Sequence, residues 1–444
     1  MDRSLLIYKK LFRFLFPLAI TSIVLEFGAP VLNAGMARMP HATTTLAAYG
    51  LAWALVVTLA SPLGQARELG LVLADNRIAL VRVRRFVLLF GLLLTGTVAL
   101  LAISPMGHTV IEGWHGVSPD LAAQVRVALL LLIPYPLFKG LSLFQAGLLI
   151  RARRTTTVSY AMITGVGIGI AAVFILLPMP SMQARPILLP IVVTYITLAI
   201  ELSILIWGAA RYLGDLPVGD RTAPLGYRTI IRFYWPLVFI MLVQELSRPI
   251  INLFVARGSD GTEALAALTV AYAVGQITYR WINQVRNLPA AFQGEDNIRP
   301  YILRFSLACG LLALGMTIIL FMTPLRDFIL ESLVGIEPDL ARRVWAPLFI
   351  FSLFPLVVAV RAFMHGVGLV ERRTRAMAPS APARLLAVVL TLWIGYAAGV
   401  QGATLGIAAL FAGFVAETFA VWLGVFRWPA FKARRRKTKS PSVY

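Results

Sequence analysis

Residues 86–104 read FVLLFGLLLTGTVALLAIS, nineteen positions without a charged side chain. A helix of about 20 apolar residues is as long as the hydrocarbon core of a bilayer is thick. The whole chain has this character, since 59% of its 444 residues are hydrophobic and only 14% are charged, with a mean hydropathy of +0.80. Soluble domains are about half apolar and a quarter charged. The sequence therefore predicts a polytopic membrane protein and excludes a soluble globular one.

Eleven further stretches have similar length and apolarity, so we predict an all-α fold of about twelve transmembrane helices. The strands of a β-barrel would alternate apolar and polar residues with a period of two, and these runs do not. In chain order, the predicted spans 1 to 12 are residues 11–37, 46–66, 86–104, 125–150, 157–178, 186–208, 229–256, 264–285, 302–322, 343–368, 382–399 and 402–427.

The Lys and Arg residues are distributed unevenly between the two sets of loops. Of the 41, 31 lie in one set together with the two termini, seven lie in the opposite loops and three lie inside spans. Because cytoplasmic loops carry the excess of Lys and Arg, both termini are predicted to be cytoplasmic. The net charge of +21 is then a sign of topology rather than of a nucleic-acid partner. The basic tail segment Arg434-Arg435-Arg436-Lys437 adds attraction to lipid headgroups, so we expect membrane lipid as a partner.

The first half of the chain recurs in the second half at a constant offset of 219 residues. Shared apolar composition would match leucine with leucine, whereas this offset matches proline, glutamate and asparagine. Six spans per half is an even number, so we predict two six-helix lobes related by a pseudo-twofold axis along the membrane normal. The predicted domains are 1–211 (N-terminal lobe), 212–228 (cytoplasmic linker), 229–430 (C-terminal lobe) and 431–444 (basic cytoplasmic tail). Pro17, Glu26, Pro30 and Asn33 fall on Pro236, Glu245, Pro249 and Asn252, and the outer-loop residues Pro119-Asp120-Leu121 fall on Pro338-Asp339-Leu340.

Three cations are predicted to lie inside spans, namely Lys139 in span 4, Arg248 in span 7 and Arg361 in span 10. A charged side chain at the bilayer centre costs about 2.5–3.5 kcal/mol on insertion scales, so it marks a functional site by default. We predict that the three bind a small multivalent anion, to which arginine offers bidentate contact. Three alternatives stay open: Arg248 only neutralises Glu245, Lys139 only reaches the interface, or Arg361 is structural.

Glu26 and Glu245 are repeat-equivalent acids within spans, each four residues before a proline. A proline ring leaves the carbonyl four residues earlier without its helical hydrogen bond. We predict that these two acids hold a coupling ion, H⁺ or Na⁺; ion pairs with neighbouring cations are the alternative. The repeated Asn33 and Asn252 are predicted to bind substrate or to bridge helices. Two more acids, Glu201 and Glu417, lie within spans 6 and 12 without an assigned role.

Enzyme chemistry finds no support in the sequence. The chain has no Walker motif, no Ser/His/Asp order and no metal-ligand spacing, and its single cysteine excludes an intramolecular disulfide. We therefore predict no catalytic residue, no cofactor and no bound metal.

Several short segments resemble the progressive ankylosis (ANKH) family. The resemblance runs from about residue 10 to residue 425, and the short loops favour a prokaryotic member in the bacterial inner (plasma) membrane. The segments that carry it are Ser247-Arg248-Pro249-Ile250-Ile251-Asn252-Leu253-Phe254-Val255, Gly402-Ala403-Thr404-Leu405-Gly406, Ala412-Gly413-Phe414-Val415, Phe27-Gly28, Leu32-Asn33, Tyr49-Gly50-Leu51-Ala52, Gly70-Leu71-Val72, Ala146-Gly147 and Arg361-Ala362.

The resemblance implies a fold like that of the multidrug and lipid flippase superfamily, which is MATE-like, and the export of polyanions. Pyrophosphate, citrate or other carboxylates, and nucleotides such as ATP are the implied substrates. Arg248 and Arg361 match family positions and Glu26 aligns with an acidic one, whereas Lys139 does not match. Three other readings stay open, which are a flippase for a phosphate-bearing lipid-linked substrate, a MATE-like drug antiporter with an acidic cavity, and a membrane scaffold without transport.

Overall fold

The computed structural model describes residues 3–427 apart from 115–117, 213, 215, 219–224, 259, 335 and 401. Every regular element in this part of the chain is helical. Nine helices are long and apolar enough to cross a membrane, and two bent helix pairs raise the number to eleven among the described residues. The shorter apolar helix Glu263–Gly275 occupies the position of span 8. The predicted all-α, multi-span fold is confirmed.

Each predicted span has a helical counterpart, and we keep the span numbers for these helices. They are Ser4–Met36, Ala42–Val72, Arg77–Ile103, Pro119–Leu132 with Tyr135–Arg151, Thr155–Leu176, Leu188–Arg211, Tyr227–Ala256, Gly261–Gly275, Ile298–Phe321, Pro338–Phe351 with Phe354–Val370, Thr374–Ala397 and Gly402–Arg427.

The chain forms two compact units. We call Phe16–Ile231 the N-terminal unit, and Met1–Leu15 together with Arg232–Tyr444 the C-terminal unit. The first residues of span 1 thus belong with the C-terminal half, where the ring of Phe14 packs edge-on against Phe292 at a centroid distance of 5.5 Å. Part of the predicted linker and all of the tail 431–444 lie outside the described residues. The bounds of the four predicted domains therefore stay predictions.

The 219-residue repeat extends to the irregularities of the helices. Span 4 bends by 43° between Leu132 and Tyr135, and span 10 bends by 41° between Phe351 and Phe354, at positions 219 residues later. Each bend has a proline just beyond it, Pro136 or Pro355, whose ring clashes with the carbonyl four residues earlier and ends the preceding helix there. The π-helical turn Thr109–Trp114 likewise recurs at Phe328–Leu333. The offset that aligns the sequence also aligns local backbone geometry.

Two repeat-equivalent glycines allow the backbones of neighbouring spans to approach closely. A Cβ at Gly147 in span 4 would overlap the carbonyl oxygen of Arg67, and one at Gly366 in span 10 would lie 2.5 Å from that of Arg286. Small residues at such crossings permit tight helix packing, which is the main source of helix association in a bilayer. The contact fixes span 4 against span 2 and span 10 against the segment that follows span 8.

Replacing Gly147 or Gly366 by alanine is expected to lower thermal stability, because the new methyl group must push a backbone away. Overpacking of this kind costs about 1–3 kcal/mol. Gly96→Ala and Gly315→Ala are matched controls, since these glycines are also 219 residues apart and nothing lies within 4 Å of the added methyl. Thermal melting of the purified variants in detergent measures the difference. A wild-type melting temperature for both Gly147→Ala and Gly366→Ala would contradict the close approach.

Candidate functional site

Glu417 in span 12 is completely buried and is the centre of a polar cluster in the C-terminal unit. Its carboxylate accepts hydrogen bonds from Arg361 Nη1 at 3.1 and 3.2 Å, and from Arg384 Nη1 at 2.9 Å. Gln244 Nε2 donates a further bond of 2.8 Å. The donors come from spans 10, 11 and 7, so one acid connects four helices. Burial of an ionised group is tolerated only when it is paired and hydrogen-bonded in this way.

The residues that precede Glu417 bring the two arginines to it. Gly413 lies one turn earlier, and a Cβ there would come within 2.8 Å of Val388 and 3.1 Å of Arg384, so its lack of a side chain lets span 11 approach. Phe414 lies three residues before Glu417 on the same helix face. The guanidinium carbons of Arg361 and Arg384 lie 4.5 and 4.4 Å from its ring centroid. Cation–π contact therefore orients both guanidinium groups toward the carboxylate.

Arg248 adds a third guanidinium group to the same region. Its Cζ lies 5.0 Å from the ring centroid of Tyr272, and the residue is exposed. Arg248 is one helical turn after Gln244, so both project from one face of span 7. Tyr279 lies within electrostatic range of four guanidinium groups, those of Arg361, Arg248, Arg384 and Arg280. The cluster around the single carboxylate of Glu417 is thus rich in positive charge.

Two further polar side chains complete the surroundings of Arg361. Its Nη2 donates a bond of 2.7 Å to Asn283 Oδ1, in the 3₁₀ segment Arg280–Asn287 that follows span 8. His365 lies one turn further along span 10, with its Nε2 3.3 Å from Glu417 Oε1 but without hydrogen-bond geometry. Both Nη nitrogens of Arg361 therefore have a hydrogen-bond acceptor.

The N-terminal unit contains a related arrangement around Glu201 in span 6. Ser142 in span 4 donates a short hydrogen bond to Glu201, and Lys139 Nζ lies 3.2 and 3.4 Å from the two carboxylate oxygens. Position 142 is the repeat equivalent of Arg361. In each unit, therefore, the last span supplies a buried acid, Glu201 or Glu417. The residue that binds the acid occupies the same repeat position, 142 in span 4 or 361 in span 10. The charges differ, because Lys139 balances Glu201 one to one.

A cavity of about 460 Å³ opens beside Lys139 and Glu201 in the N-terminal unit. Asn33 lines it as well, so the structure brings two of the predicted binding residues, Asn33 and Lys139, together. An aromatic wall faces them, in which the Trp53 ring packs against Tyr135 at 5.0 Å and against Tyr49 at 5.7 Å. The cavity thus combines a neutralised ion pair, an amide and aromatic surface.

The two predicted coupling acids lie elsewhere. Glu26 is exposed in a 3₁₀ turn, Leu25–Phe27, that interrupts span 1, and it is not among the residues that line the cavity. Its equivalent Glu245 is exposed in span 7, which stays helical from Tyr227 to Ala256 in spite of two prolines. Asn252, two turns after Glu245, is exposed on the same helix.

Two sequence-based interpretations need correction. Arg361 has no acid within a helical turn, but it is not unpaired, because Glu417 approaches from another span. The alternative in which Arg248 only neutralises Glu245 is not supported, because the described residues show no ion pair between them and Arg248 lies on Tyr272 instead. Arg248 thus contacts an aromatic face of the next span rather than the exposed carboxylate three residues before it.

Sequence reasoning assigned no role to Arg384, which it placed with the cytoplasmic loops, or to Glu201 and Glu417. Arg384 is instead 7% exposed inside span 11. Charge balance could have indicated these residues, because a cation inside a bilayer needs an acid inside a bilayer. Glu201 and Glu417 are the acids of spans 6 and 12 and so were available as partners.

Comparison with solved structures shows the fold. The Vibrio cholerae MATE transporter VcmN in its bent form superposes with a TM-score of 0.74 at 15% identity, covering 98% of each chain. A MOP superfamily transporter from Pyrococcus furiosus gives 0.67 at 15% identity, covering 96% of this chain and 97% of its own. The eukaryotic MATE transporter AtDTX14 gives 0.67 at 15% identity, with 98% and 100% covered. The predicted MATE-like fold is confirmed.

The sequence carries the family assignment. The family model described as progressive ankylosis protein (ANKH) matches residues 2–323, which is well over half of the chain. The match includes Lys139, Glu201 and Arg248 and ends before Arg361 and Glu417. The chain therefore belongs to the progressive ankylosis family, and it has the fold of the MATE and MOP superfamily transporters compared above.

Proposed function

We propose that this protein is a membrane transporter that exports small polyanions, such as pyrophosphate, citrate or other carboxylates, or nucleotides such as ATP, by alternating access. The observation that carries the proposal is the excess of guanidinium groups around Glu417. Arg361 and Arg384 both bind this one carboxylate, and Arg248 lies close enough to share the surroundings of Tyr279 with them. Three cations against one anion in a low-dielectric region favour the entry of a multivalent anion.

Arg248 is the residue best placed to receive the anion. It is exposed, and its guanidinium group is held over Tyr272 rather than by a carboxylate. Its donors can therefore turn to phosphate or carboxylate oxygens, which a guanidinium group binds through two parallel hydrogen bonds. Arg361, 13% exposed in its side chain, would share its donors between Glu417 and the anion. Asn252, one turn after Arg248, extends this polar face.

In the N-terminal unit, Lys139 and Asn33 are proposed to bind the same class of anion more weakly. An ammonium group has three donors, and the two carboxylate oxygens of Glu201 face Lys139 at 3.2 and 3.4 Å. At least one donor stays available to the cavity. Because Lys139 and Glu201 cancel, this cavity has no excess charge to hold a polyanion by itself.

The same charge balance argues against drug-cation antiport. A site for organic cations needs an acid whose charge is not already neutralised, but Glu201 and Glu417 are each bound by at least one cation. The MOP superfamily transporter from Pyrococcus furiosus is described as having a binding pocket of reverse polarity that suggests a different function. That description supports the idea that this fold can hold a binding pocket with either positive or negative charge.

Efflux from proteoliposomes tests the proposal directly. Vesicles with purified protein are loaded with radiolabelled pyrophosphate, citrate or ATP, one anion in each preparation, and release is compared with that from protein-free vesicles. Release of at least one multivalent anion, but not of an organic cation such as ethidium, is expected. Release of the cation alone would overturn the proposal. Transbilayer movement of a lipid-linked phosphate without anion release would favour the flippase alternative.

We propose that in cells the protein lies in the bacterial inner membrane with both termini on the cytoplasmic side.

Arg248→Gln is expected to lower anion efflux by about 10- to 100-fold, which is the loss of one charge-assisted contact of about 1.5–3 kcal/mol. Arg257→Gln is the matched control, because Arg257 is an exposed arginine at the end of the same helix. Initial efflux rates, normalised to the amount of reconstituted protein, provide the measurement. Equal rates for the two variants would remove Arg248 from the binding site.

Arg361 is expected to serve both stability and transport, and a double variant separates the two roles. Arg361→Gln breaks a buried ion pair and should lower the free energy of unfolding by about 3 kcal/mol, at the low end for such pairs because Arg384 remains on Glu417. Adding Glu417→Gln removes the uncompensated carboxylate and should restore part of that stability. Efflux should stay low in the double variant. Recovery of efflux together with stability would make Arg361 purely structural.

We further propose that Glu26 couples transport to H⁺ or Na⁺. It occupies the 3₁₀ break of span 1, where a helical hydrogen-bond ladder is interrupted. An acid at a break in a membrane-spanning helix is a typical ion site of secondary transporters.

Glu26→Gln is expected to abolish the dependence of efflux on external pH or Na⁺ while leaving a residual, uncoupled efflux. Glu245→Gln is the repeat-equivalent control and should retain the dependence, because Glu245 lies in unbroken helix. Efflux rates across a series of pH values and Na⁺ concentrations give the comparison. If Glu26→Gln kept the wild-type dependence, diffusion of the anion down its own gradient would be the better account.

A further inference from the structure

An apolar groove follows the exposed face of the C-terminal unit between spans 10 and 12. Its volume is about 570 Å³, and its wall is almost free of polar surface. Among the described residues that line it, Thr418 has the one hydroxyl group, which donates a hydrogen bond of 2.7 Å to the Phe414 carbonyl oxygen. The other lining residues are Leu356, Val357, Val360, Met364, Val415, Phe419 and Trp422. The groove therefore offers nothing to water and suits a hydrocarbon chain.

The groove is separate from the proposed anion site. Arg361 and His365 project from a different face of span 10 toward Glu417, whereas Val360 and Met364 line the groove. On span 12, Phe419 is 57% exposed while Glu417 is completely buried. An exposed apolar surface of this kind on a membrane-spanning helix faces lipid.

One end of the groove carries positive charge. Trp422 closes the groove, and the guanidinium carbon of Arg427 lies 5.2 Å from the centroid of the Trp422 ring. Arg427 is exposed and forms no ion pair with any described residue. The sequence after Glu417 contains seven Lys and Arg residues and no acid. Tryptophan and arginine at the end of a span are typical of the headgroup level of a bilayer.

The dimensions fit one leaflet. From Val415 to Trp422 the helix rises about 10 Å at 1.5 Å per residue, which is about two thirds of a hydrocarbon half-thickness of roughly 15 Å. An acyl chain that lies along Val360 and Val415 would place its headgroup beyond Trp422, beside Arg427. The matching end of span 6 also has such a pair, with Arg211 5.5 Å from the Trp207 ring.

We propose that this groove binds an anionic phospholipid of the leaflet that faces the basic loops, with one acyl chain between spans 10 and 12 and the phosphate at Arg427. Charge complementarity selects the headgroup, because a basic side chain near the membrane surface attracts anionic lipid by about 1 kcal/mol, a factor of about five in occupancy. The inference does not depend on the transported substrate.

Photo-crosslinking tests the site with the full chain reconstituted in phosphatidylcholine vesicles. Trace phosphatidylglycerol or phosphatidylcholine with a diazirine in one acyl chain serves as the probe, and labelled peptides are mapped by mass spectrometry. The phosphatidylglycerol probe is expected to label residues 356–364 and 415–422 about fivefold more than the phosphatidylcholine probe. Arg427→Gln should remove this preference, whereas Arg342→Gln, at an exposed arginine in the first turns of span 10 and outside the groove, should retain it.

A second pair of variants tests the groove itself. Val415→Trp fills it and should abolish labelling by both probes, while Val389→Trp, on the exposed face of span 11 and outside the groove, should leave labelling unchanged. Size-exclusion profiles confirm that each variant is folded. Equal labelling by both probes, or an unchanged preference in Arg427→Gln, would overturn the proposal and leave ordinary boundary lipid. Disulfide-linked dimers of a Val415→Cys variant under oxidising conditions would overturn it in favour of a second copy.

Discussion

The structure depends on one constraint, that a charge inside a bilayer must find its partner within the protein. Glu417 shows how strictly this condition organises the helices, since its carboxylate receives donors from three other spans. The geometry follows from small residues, because Gly413 lets span 11 come close enough for Arg384 to reach the acid. A network that is satisfied in this way also specifies which helices are neighbours. Electrostatic pairing and close packing therefore select the same arrangement.

The two halves of the chain repeat one helix arrangement, but the residues around the buried acid carry a different charge in each half. The bends in spans 4 and 10, the π turns and the close-approach glycines all keep the 219-residue offset. At one equivalent position the N-terminal unit has Ser142, which only donates a hydrogen bond, and the C-terminal unit has Arg361, which adds a full charge. The backbone frame is thus conserved between the halves while the electrostatics is not. On the proposed function, the C-terminal unit attracts the anion and the N-terminal unit supplies neutral polar and aromatic surface.

Local features of the molecule could be predicted from sequence, and contacts between distant helices could not. The spans follow from the length of apolar runs, and the repeat follows from matched prolines and acids, since both are properties of short segments. The pair of Arg361 and Glu417 joins residues 56 positions apart, so it depends on which helix faces meet, and neither span contains that information. Arg384 was counted with the loop residues for a similar reason. A charge near the end of a predicted span is usually a flanking residue, and only the position of the buried Glu417 shows that Arg384 lies inside the bundle. The alternative pairing of Glu245 with Arg248 failed because spacing permits a contact without deciding between it and the face of Tyr272.

The internal carboxylate also explains how arginines that bind a polyanion could release it. A guanidinium cluster with no acid would hold a multivalent anion too firmly for turnover, since binding must be strong enough to capture and weak enough to let go. On the proposed function, Glu417 lowers the net charge of the cluster and keeps the donors of Arg361 and Arg384 bound when the anion leaves, so neither of these two guanidinium groups is left without an acceptor in a low dielectric. A monovalent anion gains little against this competitor, because it offers no more charge than the carboxylate already present. An anion with several charged oxygens can engage Arg248 while Glu417 stays bound, and selectivity for polyanions then follows from competition within the protein itself.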